Sequence, residues 1–251
     1  MYIIILLLIL YLIKVIFYDS CASENFKLIN NSIKEDITEL PELLVVSSHY
    51  NEDLNWLENV NKPVIICSKK LESPNCNVEK NVGNECTAYL KFIIDNYYNL
   101  PNYVAFIHGH EFAWHQPKKL LDLIYNNAKY TEYDFISLNL FFIDDRNLGN
   151  GMFKNIYDMW DEHFKPYLNR EAPIRVLHDC CAQFIVSKSR ILAVPIEGYI
   201  HWYELFLEDK IWRLGYSFEY IWHVIFGEPD IVTHEENLQR FRDIDRIYSD
   251  K

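Results

Sequence analysis

Short apolar runs alternate along this chain with segments of helical periodicity, and this alternation most constrains the fold. Five runs rich in branched and aromatic side chains predict buried strands at 43–46, 64–67, 103–107, 135–143 and 182–186. Helical spacing predicts helices at 86–98, 118–126, 153–168, 189–194, 200–214, 217–226 and 235–248. Strands that alternate with helices are typical of α/β proteins. We therefore expect a mainly parallel central sheet with helices on both faces.

The first segment of the chain has a different character. Residues 2–18 are apolar except for Lys14, and as a helix they would span about 25 Å, close to the ~30 Å of a bilayer core. We predict a transmembrane anchor or signal helix at 1–18, a polar stem at 19–41 and a single α/β domain at 42–251. An anchor makes this a single-pass membrane protein with its domain in the secretory lumen or outside the cell. Small residues just after the apolar run also suit signal peptidase, which leaves a secreted protein as the alternative.

Charge and cysteine content narrow the function classes. The net charge of −12, from 24 Lys and Arg against 36 Asp and Glu, leaves no basic surplus to neutralise nucleic-acid phosphates. Nucleic acid is therefore not an expected partner. The six cysteines match no zinc-binding spacing. Cys76 and Cys86 flank a polar loop and are candidates for a disulfide, with reduced buried thiols as the alternative.

Polar side chains cluster where the predicted strands end. The first strand is followed by His49, Tyr50, Asn51, Glu52 and Asp53, the third by His108, His110, Trp114 and His115, and the fourth by Asp144 and Asp145. Gln183 leads into the fifth strand. Ligands of open α/β sheets bind beyond the carboxyl ends of the strands. These side chains are therefore predicted to form one site.

Histidines and aspartates in this set suggest a metal. Residues two apart in extended chain point the same way, so His108 and His110 can face one ion, with His115, Asp144 or Asp145 completing its shell. Imidazole and carboxylate ligands suit Mn²⁺ or Zn²⁺ better than Ca²⁺, and we expect Mn²⁺ before Zn²⁺. The alternative is that these histidines only form hydrogen bonds to substrate or backbone.

Several familiar catalytic motifs are missing from the sequence. It contains no GxGxxG, no GxxxxGK[ST] and no GxSxG. Dinucleotide-binding, P-loop and nucleophile-elbow chemistry are therefore weak interpretations of this chain.

Five ordered motifs carry a resemblance to a known family. They are SHYNEDLNWL at 48–57, Gly83 and Glu85 ahead of a helix, FIHGHEFAWH at 106–115, CAQFIVS at 181–187 and EYIWHVIFG at 219–227. In these motifs the chain resembles the domain-of-unknown-function 3431 family over about residues 45–227. The family has no assigned function, so this resemblance implies none.

The layout also looks like that of GT-A glycosyltransferases. Their opening strand ends in a Tyr-Asn-Glu-type loop, a middle strand ends in a polar metal-type motif, and a later helix carries a catalytic glutamate. This likeness implies a GT-A-like, membrane-anchored glycosyltransferase that moves a sugar from a nucleotide sugar to a glycan or protein acceptor. His108-Gly109-His110 stands where these enzymes generally carry Asp-x-Asp.

The GT-A likeness assigns roles to named residues. Glu219 becomes the general base, in the first turn of a helix, with His223 one turn later on the same face. Nucleotide or substrate binding falls to His49, Tyr50, Asn51, Glu52, Asp53, Trp114, His115 and Gln183, and metal binding to His108, His110, Asp144 and Asp145. Two alternatives remain open: a metal-dependent hydrolase built on His108, His110 and His115, and a non-catalytic glycan-binding domain.

Overall fold

The structure is a computed structural model of the chain. It describes residues 41–70, 73, 75–113, 116, 124, 130–139, 143–148, 154–179, 181–211 and 213–244. The predicted anchor and all but the last residue of the predicted stem lie outside these residues, as does nearly all of the predicted helix 118–126. No helix within the described residues is long and apolar enough to cross a membrane.

The described residues form strands and helices in alternation. The strands are β1 (Leu43–His49), β2 (Val64–Ser68), β3 (Tyr103–Ile107), β4 (Phe135–Ser137), β5 (Ile143–Asn147), β6 (Arg175–Asp179) and β7 (Phe184–Ser187). The α-helices are α1 (Cys86–Asn96), α2 (Lys154–His163), α3 (Lys165–Leu168), α4 (Lys188–Leu192), α5 (Ile196–Glu208), α6 (Leu214–Phe218), α7 (Trp222–Ile225) and α8 (His234–Ile244). Single 3-10 turns occur at Asn55–Asn59, Tyr97–Asn99 and Tyr130–Glu132. The α/β class predicted from the sequence is confirmed.

The central sheet is mixed rather than mainly parallel. Its strand order is β2-β1-β3-β7-β4; β1 is parallel to β2 and β3, whereas β7 is antiparallel to β3 and β4. The connection from β6 to β7 turns through Cys181 and Ala182, whose φ angles are 81° and 47°. Because β7 runs antiparallel to β3, its first residue, Phe184, pairs with Phe106 near the end of β3. The start of β7 therefore lies at the edge where β1 and β3 end.

The predicted strand at 135–143 is wrong, because it divides into two strands in different sheets. Only β4 joins the central sheet, while β5 pairs antiparallel with β6 in a separate two-stranded sheet. Ser137 and Asn139 are buried where β4 ends, and the Asn139 side chain donates to the carbonyl of Cys181 at 2.9 Å. Asp144 and Asp145 consequently lie inside β5 rather than in a loop after a central strand.

Both faces of the central sheet are buried. One face contributes Leu44, Val46, Val104, Phe106, Phe184 and Val186 to a core shared with α1, α5, α6 and α7. The opposite face contributes Leu43, Val45, Ala105, Ile107 and Ile185 to a second core with Leu57, Ile124 and Tyr130. The alternation of faces along each strand explains why the strands read as continuous apolar runs.

The predicted helix 217–226 is interrupted. The N–H groups of Tyr220 and Ile221 bond to the carbonyls of Ser217 and Phe218, three residues back, at 3.2 and 3.0 Å. This tighter turn separates α6 from α7. The prediction that Glu219 lies in the first turn of a helix is therefore wrong, since it directly follows the last residue of α6.

The cysteine pairing also differs from the prediction. Cys67 at the end of β2 is bonded to Cys76, and Cys181 is disulfide-bonded too. Cys86 is a free, fully buried thiol at the start of α1. The predicted pair of Cys76 with Cys86 is wrong, because burial against α6 takes Cys86 away from the loop: its sulfur lies 3.5 Å from the carbonyl of Gly215.

Candidate functional site

A cleft of about 260 Å³ opens at the edge of the central sheet where β1 and β3 end. We call it the strand-end cleft. Its lining residues are Ser48, Tyr50, Glu52, Lys69, Asn81, Asn84, Glu85, His108, Gly109 and His110. Four of the predicted site residues, Tyr50, Glu52, His108 and His110, therefore meet in one cavity.

The loop after β1 is held by its own acidic side chain. One carboxylate oxygen of Glu52 accepts the backbone N–H groups of Tyr50 and Asn51 at 2.6 and 3.0 Å. Asp53 accepts the N–H of Asn55 at 3.0 Å, ahead of the following 3-10 turn. This bonding orders the loop and leaves Tyr50 at the cleft, 40% exposed.

Two predicted binding residues are buried behind the cleft. His49 is 5% exposed, and its Nδ1 lies 3.1 Å from the hydroxyl of Ser68 at the end of β2. The side-chain oxygen of Gln183 accepts the backbone N–H of His108 at 3.1 Å, and its amide donates to Asn139 at 3.0 Å. Gln183 thus joins the start of β7 to the end of β3.

Close packing at Gly109 fixes the two histidines. A Cβ at this position would lie 2.8 Å from the carbonyl oxygen of Ser48. The indole N–H of Trp56 donates to the Gly109 carbonyl at 2.8 Å. The rings of His108 and His110 stand 5.1 Å apart, and Nε2 of His108 lies 3.9 Å from a carboxyl oxygen of Glu85.

A second cleft of about 520 Å³ lies beside the first, and we call it the helix-side cleft. It is lined by Gly83, Asn84, Leu205, Phe206, Asp209, Ile211, Arg213, Leu214, Gly215 and Tyr216. Asn84 lines both clefts, and its side-chain amide donates to the Glu219 carboxyl at 3.2 Å. Glu219 lines neither cleft itself, but its carboxyl is held by the asparagine that the two clefts share.

This arrangement depends on a contact between two glycines. A Cβ on Gly215 would lie 2.7 Å from the carbonyl carbon of Gly83. Gly83 itself has a φ of 68°, in the left-handed region that glycine favours. The missing side chains let α6 approach the start of α1, which places Glu219 against Asn84 and Glu85.

Burial shifts the titration of the acidic groups beside Asn84. The pKa of Glu219 is raised to about 8, first by desolvation and then by the neighbouring charge of Glu85. Desolvation likewise raises the pKa of Glu85 to about 7, and Lys69 opposes that shift. The pKa of Lys69 is lowered by burial. At neutral pH the two carboxyl groups are thus able to hold or release a proton.

The predicted metal site finds little support among the described residues. They include no group of three or more His, Cys, Asp or Glu side chains that could hold an ion. His108 and His110 line the strand-end cleft, whereas Asp144 and Asp145 belong to the separate two-stranded sheet. His115 lies outside the described residues, as does Trp114. The described side chains that line the strand-end cleft therefore form no metal-binding group.

His223 lies in the core rather than in either cleft. It is 2% exposed, and its ring stacks on His178 at 4.4 Å between centroids. Burial holds the pKa of His223 well below its usual value, so the ring is neutral. Its predicted role beside Glu219 stays a prediction.

Lys69, Asn84 and Glu85 lie at the clefts but were not among the predicted site residues, although Glu85 belongs to one of the five family motifs. Lys69 directly follows β2, and a charged residue after a buried strand was the available signal. Glu85 precedes α1 and is 9% exposed. For Asn84 and Glu85 the available signal was a glycine followed by two polar residues at the start of a helix. The burial of Glu85 could not be predicted in this way, because it depends on α6, which is distant in sequence.

Comparison with known proteins gives a family but no function. The sequence model described as "protein of unknown function (DUF3431)" matches residues 44–133 and 144–239. Because the match covers most of the chain, the protein belongs to this family, as its motifs predicted. No curated protein and no solved structure matches it. The likeness to GT-A glycosyltransferases therefore rests on the sequence motifs alone.

Proposed function

We propose that this DUF3431 protein is a membrane-anchored glycosyltransferase that moves a sugar from a nucleotide sugar to a hydroxyl group of a glycan or glycoprotein. The observation that carries the proposal is a pair of clefts that share Asn84, whose side-chain amide holds the carboxyl of Glu219. A transfer reaction needs two substrates side by side and a proton acceptor between them. In this proposal the donor occupies the strand-end cleft and the acceptor the helix-side cleft.

Glu219 supplies the base. A general base is most effective when its pKa lies near the working pH, and burial raises the pKa of Glu219 to about 8. Asn84 fixes one carboxyl oxygen by its hydrogen bond. The acceptor hydroxyl gives its proton to the ionised carboxylate as its oxygen attacks the sugar, and the diphosphate leaves with the electrons of the broken bond.

The placement of the donor follows from the sheet. Ligands of α/β proteins bind beyond strand ends, and the strand-end cleft lies where β1 and β3 end. Tyr50, His108 and His110 line it and offer an aromatic ring and imidazole nitrogens to a nucleotide. A disulfide between Cys67 and Cys76 suits the oxidising compartment that a membrane anchor and stem would give this domain.

The two alternatives are less well supported. A metal-dependent hydrolase needs a third ligand beside His108 and His110, and the described residues do not provide one. A binding module needs no buried acidic pair, yet Glu85 and Glu219 both have strongly raised pKa values, a pattern concentrated at catalytic sites.

The test is Glu219→Gln in the full-length protein, assayed for release of nucleoside diphosphate from a panel of nucleotide sugars with glycan acceptors. Losing a general base should lower turnover by about a hundredfold, while donor binding and melting temperature change little. Glu208→Gln is the matched control, because Glu208 is exposed and pairs with Lys210 at 3.1 Å. Equal turnover in the Glu219 variant and wild type would remove Glu219 from the mechanism.

A further inference from the structure

Lys69 is the feature of the strand-end cleft that the base mechanism does not use. It follows β2, and among the described residues lining the cleft no other side chain is a lysine or arginine. Its ammonium donates to the carbonyl of Val82 at 3.2 Å. That contact uses one of three N–H donors and fixes the head of the side chain at the cleft wall.

The surroundings of Lys69 provide further hydrogen-bond donors. Asn81 and Asn84 carry side-chain amides, and His108 and His110 carry imidazoles, all lining the same cavity. A positive charge with several other hydrogen-bond donors around it suits a phosphate group, whose oxygens accept several hydrogen bonds.

Glu85 and Glu52 are the acidic groups of this cleft that act electrostatically on Lys69. Both N–H bonds to Glu52 come from the loop after β1, so its carboxylate is engaged there. Burial raises the pKa of Glu85 to about 7, so this carboxyl group is partly protonated at neutral pH. An ammonium that burial has partly desolvated is stabilised when an anion binds beside it.

We propose that Lys69 is the centre of a diphosphate-binding subsite, where it holds the leaving group without a metal ion. This inference rests on the proposed function, whose donor carries a diphosphate between the nucleoside and the sugar. As the bond to the sugar breaks, negative charge grows on the diphosphate, and the fixed ammonium stabilises that charge. The same chemistry would recognise a lipid-linked diphosphate donor, so the test must separate the two sources.

The experiment measures binding of inorganic pyrophosphate to the full-length protein by calorimetry in the presence of EDTA. Lys69→Met keeps the length of the side chain and removes its charge. The lost charge-assisted bond should weaken binding at least about tenfold, and Lys69→Arg should restore part of it. Lys80→Met is the matched control, because Lys80 also donates to a backbone carbonyl, that of Leu207 at 2.9 Å, but lines neither cleft.

Two further ligands identify the donor. A nucleoside diphosphate that binds more tightly than pyrophosphate points to a nucleotide sugar, whereas tighter binding of a short prenyl diphosphate points to a lipid-linked donor. Unchanged pyrophosphate affinity in Lys69→Met, with a wild-type melting curve, would overturn the subsite. So would binding that requires Mn²⁺. Pyrophosphate binding that depends on Lys69, in a protein with no transfer activity, would uphold the subsite and refute the glycosyltransferase.

Discussion

At the scale of single residues, the acidic pair Glu85 and Glu219 sets the expected pH dependence of the proposed reaction. The charge of Glu85 raises the pKa of Glu219, in addition to the larger effect that burial has on both groups. Two carboxyl groups that share one site release their protons in separate steps. In the proposed reaction only ionised Glu219 acts as a base, so turnover should rise as the pH increases through about 8.

Removing the charge of Glu85 tests this coupling. In Glu85→Gln the carboxylate of Glu219 has one negative neighbour fewer, so its pKa should fall. The rising limb of the pH profile of kcat should then move to lower pH than in wild type. Glu79→Gln is the control, since Glu79 is an exposed acid on the same connection between β2 and α1. A limb that stays in place or moves to higher pH would contradict the assignment of Glu219 as the base.

At the scale of secondary-structure elements, the approach of α6 to the start of α1 assembles the site. The side chains of the strand-end cleft come from the ends of β1, β2 and β3 and from the connection ahead of α1. Glu219 reaches Asn84 because Gly215 packs on Gly83. The geometry of the two clefts therefore depends on a backbone contact that contains no side chain.

Gly215→Ala should separate these elements. Its Cβ would lie 2.7 to 2.9 Å from backbone atoms of Gly83, and overpacking of this kind costs about 1–3 kcal/mol of stability. Turnover should fall as well, because α6 carries Glu219 away from Asn84. In the control, Gly198→Ala, the Cβ would meet Tyr167 at 2.9 Å, away from both clefts. Urea unfolding should show a loss for both variants, and kcat should drop only for Gly215→Ala.

The sequence predicts the strands better than it predicts the site. Apolar runs identify β1, β2, β3 and β7 because each is buried on both faces. The break between β4 and β5 was missed, since Asn139 lies inside an apolar run and its bond to the Cys181 carbonyl is formed only in the fold. Glu85 was not predicted as a site residue for a related reason. Periodicity indicates which residues face a core, but it does not indicate which polar group is buried by a helix that is distant in sequence.

At the scale of the whole molecule, a pair of neutral histidines links the two-stranded sheet to α7. His178 belongs to β6 and stacks on His223 with 9° between the ring planes. Within the described part of the chain, the buried Nε2 atom of His178 has no hydrogen-bond partner. Burial lowers the pKa of His178 to about 3. It also holds the pKa of His223 well below its usual value. Both rings must lose a proton before the native core can form.

Stability should therefore decline in acid. The unfolded chain binds a proton at each histidine near pH 6.5, so the full contribution is present above that pH and is lost as the pH falls toward 3. Each ring should lower the free energy of unfolding by about 1.4 kcal/mol per pH unit in that window. His178→Phe should fit the aromatic stack and reduce the slope, and adding His223→Phe should reduce it again. Denaturant unfolding between pH 4 and 7 measures it; an unchanged slope would refute the assignment.

The disulfide between Cys67 and Cys76 has a consequence for the chemistry of the cleft. It joins two residues with a sequence separation of nine and so closes a covalent ring that includes Lys69. Such a ring restricts the conformations open to the unfolded chain, so part of the entropy lost in ordering this loop is already lost when the disulfide forms. Because the loop that carries the Lys69 ammonium is already ordered, less of the binding free energy of a ligand is spent on ordering it. Formation of the disulfide therefore contributes to the affinity for the anion before any substrate binds.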